Sequence, residues 1–199
     1  MRIITLPTHP TKYSCNVYLI LGDWNKIEDQ NTLIDAGVDD FVVNFLKEYP
    51  TGVGKKKVSQ VILTHEHFDH RGGLKYIKPL FDPVVYAFNK NVFIDVKVVD
   101  GMKLVVGDRE AILYHTPGHS NDSICVYIPK EGILFSGDLP LGFHMKGDTF
   151  TLPYLNTLSR LSQLEIRDIY PGHGNPILKN GGELIKRTKE LVECSKIIS

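Results

Sequence analysis

Apolar positions along the chain fall into two patterns, which predict short strands interspersed with helices. Runs rich in β-branched and aromatic residues predict strands; they occupy positions 17–21, 32–34, 58–63, 84–87, 124–128, 133–135 and, as the last strand, 166–170. Residues 97–115 alternate β-rich runs with Asp-Gly and Gly-Asp turns and predict a meander. Apolar side chains at helical spacing predict helices at about 39–49, 72–79, 155–164 and 182–197. This order of elements is typical of a layered α/β or α+β domain.

Composition adds mainly exclusions. The chain has 199 residues with 23 Lys+Arg and 23 Asp+Glu, hence no formal net charge, and we expect one domain over residues 1–199. Because nucleic acids and anionic membranes select for an excess of basic residues, neutrality predicts neither partner. No stretch approaches the roughly 18 apolar residues of a membrane helix, and the first residues lack a secretory pattern. Three unclustered cysteines predict free thiols, so we expect a cytoplasmic protein; the oligomeric state stays open.

The eight histidines point to chemistry, because three of them lie in one short segment. His65, His67, Asp69 and His70 directly follow the predicted strand at 58–63. Neutral imidazole and carboxylate are ordinary ligands of zinc and of redox-active first-row metals. A strand end holds such side chains rigidly, and the loop after it can curl them round an ion. The segment therefore predicts a metal site.

Three further candidate ligands stand in the same local setting, just after an apolar run and next to a glycine. They are His119, Asp138 and His173. A core that buried so many imidazoles and carboxylates without a cation would contain costly unpaired groups. Four separate strand-to-loop junctions therefore predict one metal site on the rim of a sheet. Ordinary surface or core positions are expected for the other three histidines, His9, His115 and His144.

The spacing His-x-His-x-Asp-His, followed by His, Asp and His, resembles the metallo-β-lactamase-fold superfamily. Residues 33–37 (Leu-Ile-Asp-Ala-Gly) resemble the early aspartate motif of that family, residues 116–119 (Thr-Pro-Gly-His) its third motif and residues 136–138 (Ser-Gly-Asp) its fourth. The resemblance extends from about position 15 to position 173. It implies an α+β fold, a four-layer αβ/βα sandwich with a dinuclear metal site between the loop edges of two sheets.

Carried over by position, the resemblance implies a role for each candidate ligand. The implied ligands of the first ion are His65, His67 and His119. Those of the second ion are Asp69, His70 and His173. Asp138 would bridge the two ions, and Asp35 would orient the ligands. Two divalent ions are implied, with zinc preferred and iron or manganese as alternatives.

The ligand set also favours some branches of the family. No cysteine occupies a ligand position, unlike in the enzymes that destroy β-lactam antibiotics. The set is similar to that of hydroxyacylglutathione hydrolases (glyoxalase II), lactonases, tRNA 3′-processing nucleases and persulfide dioxygenases. Because only 26 residues follow His173, we expect a glyoxalase II-like chain without the C-terminal helical domain of that family.

We therefore predict a metallo-hydrolase of a small thioester, ester or lactone. A metal-activated hydroxide would be the nucleophile, and Asp69 would orient it and accept its proton. An iron-dependent oxidoreductase, such as a persulfide dioxygenase, is the alternative because its ligand types overlap; a non-catalytic binding protein on the same fold is the third hypothesis. The segment after Asp138 is expected to border the cleft, with candidate substrate contacts at His144, Lys146 and Tyr154.

Overall fold

A computed structural model describes residues 1–24, 26–142 and 148–198, which form two main β-sheets flanked by helices. The first sheet contains, in spatial order, β1 (Arg2–Thr5), β2 (Tyr18–Leu21), β3 (Thr32–Ile34), β4 (Gln60–Ile62), β5 (Val84–Ala87) and β6 (Val96–Lys97). The first three strands pair antiparallel, and β3 to β6 pair in parallel. Because β3 and β4 are parallel, the residues that follow them leave the sheet at the same edge.

The second sheet is mostly antiparallel. Its strands are β7 (Met102–Val106), β8 (Arg109–His115), β9 (Ile124–Ile128), β10 (Ile133–Gly137) and β12 (Asp168–Pro171). Their spatial order is β12-β10-β9-β8-β7, with a single parallel pair between β10 and β12. A separate two-stranded parallel sheet joins β11 (Thr149–Thr151) to β13 (Lys196–Ile198).

Helices cover the outer faces of both sheets. Buried apolar side chains therefore form three layers, one between each sheet and its helices and one between the two sheets. The helices are α1 (Phe41–Glu48), α2 (Phe68–Arg71), α3 (Leu74–Phe81), α4 (Leu152–Leu161) and α5 (Gly181–Glu193). Leu46 and Ile77 pack under the first sheet, and Leu158 and Ile185 pack under the second. Between the sheets lies a third layer of side chains from both. This arrangement confirms the predicted α+β four-layer αβ/βα sandwich.

Most predicted elements are present, but the C-terminal part of the chain differs. The helix predicted over 182–197 ends at Glu193, because the chain turns back there and β13 pairs with β11. The strand predicted at 166–170 is therefore not the last one. Of the predicted meander, β7 and β8 form an antiparallel hairpin, while β6 joins the first sheet. The N-terminal strand β1 was not predicted; it pairs with β2.

Candidate metal centre

The four predicted junctions meet, together with the residue that follows β3, at one edge of the two sheets. β3 and β4 of the first sheet are followed by Asp35 and by residues 65–70, respectively. β8, β10 and β12 of the second sheet are followed by His119, Asp138 and His173. Contacts of 2.9 to 3.2 Å join side chains from one sheet to side chains from the other. The cluster of candidate ligands therefore assembles across the space between the sheets.

A single helical turn sets the direction of the side chains in the central segment. α2 begins directly after His67, and its turn buries Asp69 and His70 while Phe68 remains 63% exposed. His65, just after β4, is also buried, whereas His67 lies at the solvent-exposed mouth. The segment thus lines the cluster from its buried end to its open end.

One group of imidazoles forms the outer part of the cluster. The Nδ1 atom of His67 lies 3.0 Å from Nε2 of His65 and 2.9 Å from Nε2 of His119. Three ring nitrogens converge on one point, and zinc–nitrogen distances of about 2.0–2.1 Å place the ligands of one ion at similar separations. The donor set therefore fits a single divalent ion.

A second group lies deeper and includes a carboxylate. Oδ2 of Asp69 is 3.0 Å from Nε2 of His173 and 3.6 Å from Nε2 of His70. These three side chains also present one ligand atom each within a common 4.8 Å. Nitrogen and oxygen donors of this kind fit zinc, iron or manganese.

Asp138 lies between the two groups and contacts both. Its Oδ1 is 3.2 Å from Nε2 of His70, and its Oδ2 is 3.5 Å from Nε2 of His173 and 3.6 Å from Nε2 of His119. Among the described residues, Nε2 of His70 and Oδ1 of Asp138 are both buried without a hydrogen-bond partner. Buried polar atoms left unpaired are costly, and a cation between the two groups would satisfy both.

Asp35 holds His70 from behind. Its carboxylate accepts hydrogen bonds from the backbone N–H of Thr64 (2.7 Å), from the Thr64 hydroxyl (2.9 Å) and from Nδ1–H of His70 (2.8 Å). When the His70 ring is neutral and Nδ1 donates to this carboxylate, its lone pair is at Nε2, the atom that faces the cluster. The left-handed backbone at Asp35 (φ 60°) aims the carboxylate inward; aspartate tolerates this conformation better than most residues.

The carboxylates of the cluster favour positive charge on the groups beside them. Burial disfavours a charge on His70, but the negative charge of Asp35 and the close approach of Asp138 outweigh it and raise the His70 pKa. Burial acts against a charge on Asp138 too, yet the close approach of His173 and His70 holds its pKa below the usual range. Burial lowers the pKa of His65 to about 4, so this imidazole is neutral. The pocket thus stabilises positive charge next to neutral donor nitrogens.

The close approach of the β12 loop depends on a glycine. A Cβ atom on Gly172 would lie 2.1 Å from Oδ1 of Asp138 and 2.7 Å from Cε1 of His70. Asn16 fixes the same loop by donating to the carbonyls of Pro171 (3.1 Å) and Gly174 (2.8 Å). The loop that carries His173 is therefore held in place from both sides.

Sequence reasoning missed two side chains beside the cluster. The Tyr13 ring stacks on His173 with centroids 4.7 Å apart, and its hydroxyl lies 3.2 Å from Nε2 of that histidine. Cys15 is buried next to Asp35 and His70, and burial raises the pKa of its thiol to about 11. No local sequence signal identifies either residue, because both reach the cluster from a segment far from its ligands in sequence.

Of the three candidate substrate contacts, the structure describes Tyr154. Tyr154 is only 3% exposed; it belongs to the apolar layer under the second sheet, and its hydroxyl donates to the carbonyl of Pro140. Its position departs from the expected substrate contact, because α4 begins at Leu152 and directs this ring into the core. His144 and Lys146 lie outside the described residues.

Across the described ranges, none of the helices is both long enough and apolar enough to cross a bilayer.

Comparisons with known proteins relate the chain to one superfamily. The family model described as "Metallo-beta-lactamase superfamily" matches residues 10–95 and 90–173. An atrochrysone carboxyl ACP thioesterase from Aspergillus fumigatus is 32% identical over 125 residues, which cover 60% of this chain and 39% of that protein. A hydroxyacylglutathione hydrolase from Maricaulis maris is 34% identical over 113 residues, 54% of this chain and 44% of that protein. The chain thus matches less than half the length of these two curated relatives.

A solved structure shows the same fold. ETHE1 from Myxococcus xanthus superposes with a TM-score of 0.71 at 22% sequence identity, covering 96% of this chain and 88% of that one. At this identity the similarity concerns the architecture alone. The layered architecture is therefore that of a known fold.

Proposed function

Because this chain belongs to the metallo-beta-lactamase superfamily, we propose that it is a metal-dependent hydrolase of small thioesters, esters or lactones. The observation that carries the proposal is Asp138, a carboxylate within 3.2–3.6 Å of imidazoles from both groups of the cluster. The names of the two curated relatives, a thioesterase and a hydroxyacylglutathione hydrolase, support acyl-transfer chemistry.

Each residue of the cluster has a proposed role. His65, His67 and His119 would hold a first divalent ion. Asp69, His70 and His173 would hold a second. Asp138 would be shared between them, and Asp35 would keep the Nε2 lone pair of His70 directed at the ion. We propose zinc, for which imidazoles and carboxylates are ordinary ligands; iron and manganese take the same donors.

Such a pair of ions acidifies water and polarises a carbonyl oxygen. The protein's own contribution is positioning: Asp69, which faces the same space, would orient the attacking water and hold the proton that it gives up at a carboxylate oxygen. His67 and His119 lie at the open end, so the scissile carbonyl would approach from there. The three cysteines are unpaired, which supports the reducing, cytoplasmic setting that we propose.

The test is a panel of acetyl and longer-chain thioesters, esters and lactones, assayed with protein that carries zinc, manganese or iron. We expect turnover that a chelator abolishes and that restoring the metal recovers. Asp138→Ala should remove turnover and lower the metal content, whereas Asp100→Ala, a change at a surface ion pair with Arg160, should change neither. Absence of turnover across the panel with every metal would refute the proposal. One iron per chain with oxygen uptake would point instead to an oxidoreductase.

A further inference from the structure

A cavity of about 390 Å³ opens beside the metal cluster, and its size lies in the range of small-molecule sites. Asp138 and His173 form its inner end. From there it extends between the segment after β10, with Leu139 and Leu141, and the segment around Ile177. A group bonded to a carbonyl at the cluster would therefore have this cavity directly in front of it.

The walls of the cavity are held in place without a ligand. On one side, the Tyr154 hydroxyl donates to the carbonyl of Pro140, and the backbone N–H of Gly142 donates to the Thr188 hydroxyl at 3.1 Å. Tyr154 and Thr188 are both buried. The cavity is therefore preformed on this side, which spares a ligand the entropy cost of ordering it.

The opposite wall is equally fixed. Ile177 and Ile169 exchange two backbone hydrogen bonds of 2.9 Å. The buried Tyr18 donates its hydroxyl to the carbonyl of Pro171 at 2.6 Å. Because neither wall can shift readily, a larger side chain on one of them should reduce the space rather than be absorbed.

The lining is chemically selective. It consists largely of leucine, isoleucine and proline side chains, and the part of the lining that the structure describes contains no lysine or arginine. An anionic substituent would find no lysine or arginine there and would lose its hydration. An apolar chain would instead gain the free energy of leaving water, which corresponds to about a fourfold change in affinity per methylene.

We propose that this cavity binds the apolar acyl chain of the substrate, so that the preferred substrates are thioesters or esters of medium-length fatty acids. At about 30 Å³ for each small group, the volume accommodates on the order of ten non-hydrogen atoms. The inference rests on the proposed hydrolase function for the reaction, but the cavity's preference for an apolar chain stands on its own geometry.

The experiment combines turnover with binding. The zinc-loaded protein is assayed with acetyl, butanoyl, hexanoyl, octanoyl and dodecanoyl thioesters, and calorimetry measures the binding of methyl ketones of matching chain length, which contain no scissile bond. We expect kcat/KM and ketone affinity to rise by about fourfold per methylene and to level off once the cavity is full. The same ketone series is measured on the chelator-treated protein.

Two matched variants locate the effect. Ile177→Trp should lower the octanoyl-to-acetyl ratio of kcat/KM at least tenfold and shorten the ketone series that binds. Leu178→Trp, at the neighbouring position whose side chain is 56% exposed, should leave both ratios at their wild-type values. If Ile177→Trp does not fold, Leu141→Phe on the opposite wall makes the same test.

The outcomes separate the two proposals. Turnover with a flat chain-length profile overturns the acyl cavity and leaves the hydrolase in place. Chain-dependent ketone binding that Ile177→Trp abolishes, without turnover of any ester, supports the cavity and refutes the hydrolase. Ketone affinity that is independent of chain length, or equally affected by Leu178→Trp, refutes the cavity whatever the turnover.

Discussion

Replacing Asp35 with asparagine should weaken one of the two proposed metal ions selectively. Asparagine has the same shape and also tolerates the left-handed backbone at this position (φ 60°). It cannot, however, accept all three hydrogen bonds. In the wild type, Oδ2 of Asp35 accepts from Nδ1 of His70 at 2.8 Å. If the oxygen of the asparagine still accepts from the Thr64 N–H, the asparagine NH₂ group takes the place of Oδ2.

Two donors would then face each other in a buried site. His70 can relieve the conflict only by moving its proton from Nδ1 to Nε2, and that proton occupies the atom that would bind the ion. A buried donor left without an acceptor costs about 1–3 kcal/mol, and loss of a partner that orients a histidine ligand lowers metal affinity about 10–100-fold. At ~1.4 kcal/mol per factor of ten, the two estimates agree.

The assay is a competition titration with a chromophoric chelator, which resolves two dissociation constants. We expect Asp35→Asn to raise one constant 10–100-fold, the one for the ion held by His70, and to change the other much less. Asp82→Asn is the matched control, because Asp82 has a similar left-handed backbone (φ 45°) and an 89% exposed side chain that pairs with Lys56. Two unchanged constants in a folded Asp35→Asn protein would show that this carboxylate does not orient His70.

Three other perturbations test separate parts of the centre. Gly172→Ala places a Cβ 2.1 Å from Oδ1 of Asp138; we expect a loss of about 1–3 kcal/mol in unfolding free energy together with reduced metal content, measured by denaturation and elemental analysis. Tyr13→Ala removes a ring stacked on His173, which should weaken metal binding by up to about tenfold, whereas Tyr13→Phe keeps the stack and should retain most of the affinity. Burial raises the pKa of the Cys125 thiol from 9.0 to about 12, so the folded chain keeps a proton that the unfolded chain loses above pH 9. The free energy of unfolding therefore falls as the pH rises from about 9 to 12. At pH 11 the loss of unfolding free energy is about 2–3 kcal/mol. Thermal melts at pH 8 and pH 11 should show a smaller decrease for Cys125→Ala than for the wild type, and an equal decrease would contradict the linkage.

The convergence of the candidate ligands was predictable because their positions depend on local patterns. A run of β-branched residues predicts a strand, and a candidate ligand at the end of that strand can be identified without reference to distant residues. Asp138 directly follows the run in β10, and His173 closely follows the run in β12. Because these two strands pair in parallel, both residues lie at the same edge of the sheet. The topology of the sheet therefore brings together residues that were each predicted from a local pattern.

The parts that were not predicted depend on contacts between distant residues. Tyr13 is 160 positions from the histidine on which it stacks, and nothing in its neighbourhood marks it. The helix predicted over 182–197 included residues 196 and 197, yet β13 (Lys196–Ile198) pairs with β11 in parallel. Tyr154 comes shortly after the segment that was expected to border the cleft, but the helix that begins at Leu152 turns it into the core. Propensity and periodicity are weak where tertiary pairing decides.

The position of the centre between the sheets links metal binding to folding. Each proposed ion would take two ligands from the loops of the first sheet and one from the second, and Asp138 of the second sheet would be shared by both. The apolar layer between the sheets, where the rings of Tyr18 and Phe135 lie 5.4 Å apart, sets the distance between these ligands. Ions that bind only when the sheets are packed must stabilise that packing, by about 4 kcal/mol for each ion present at a thousand times its dissociation constant. A substitution in the layer between the sheets should consequently alter metal affinity even though it touches no ligand, because the same packing holds the two halves of the cluster together.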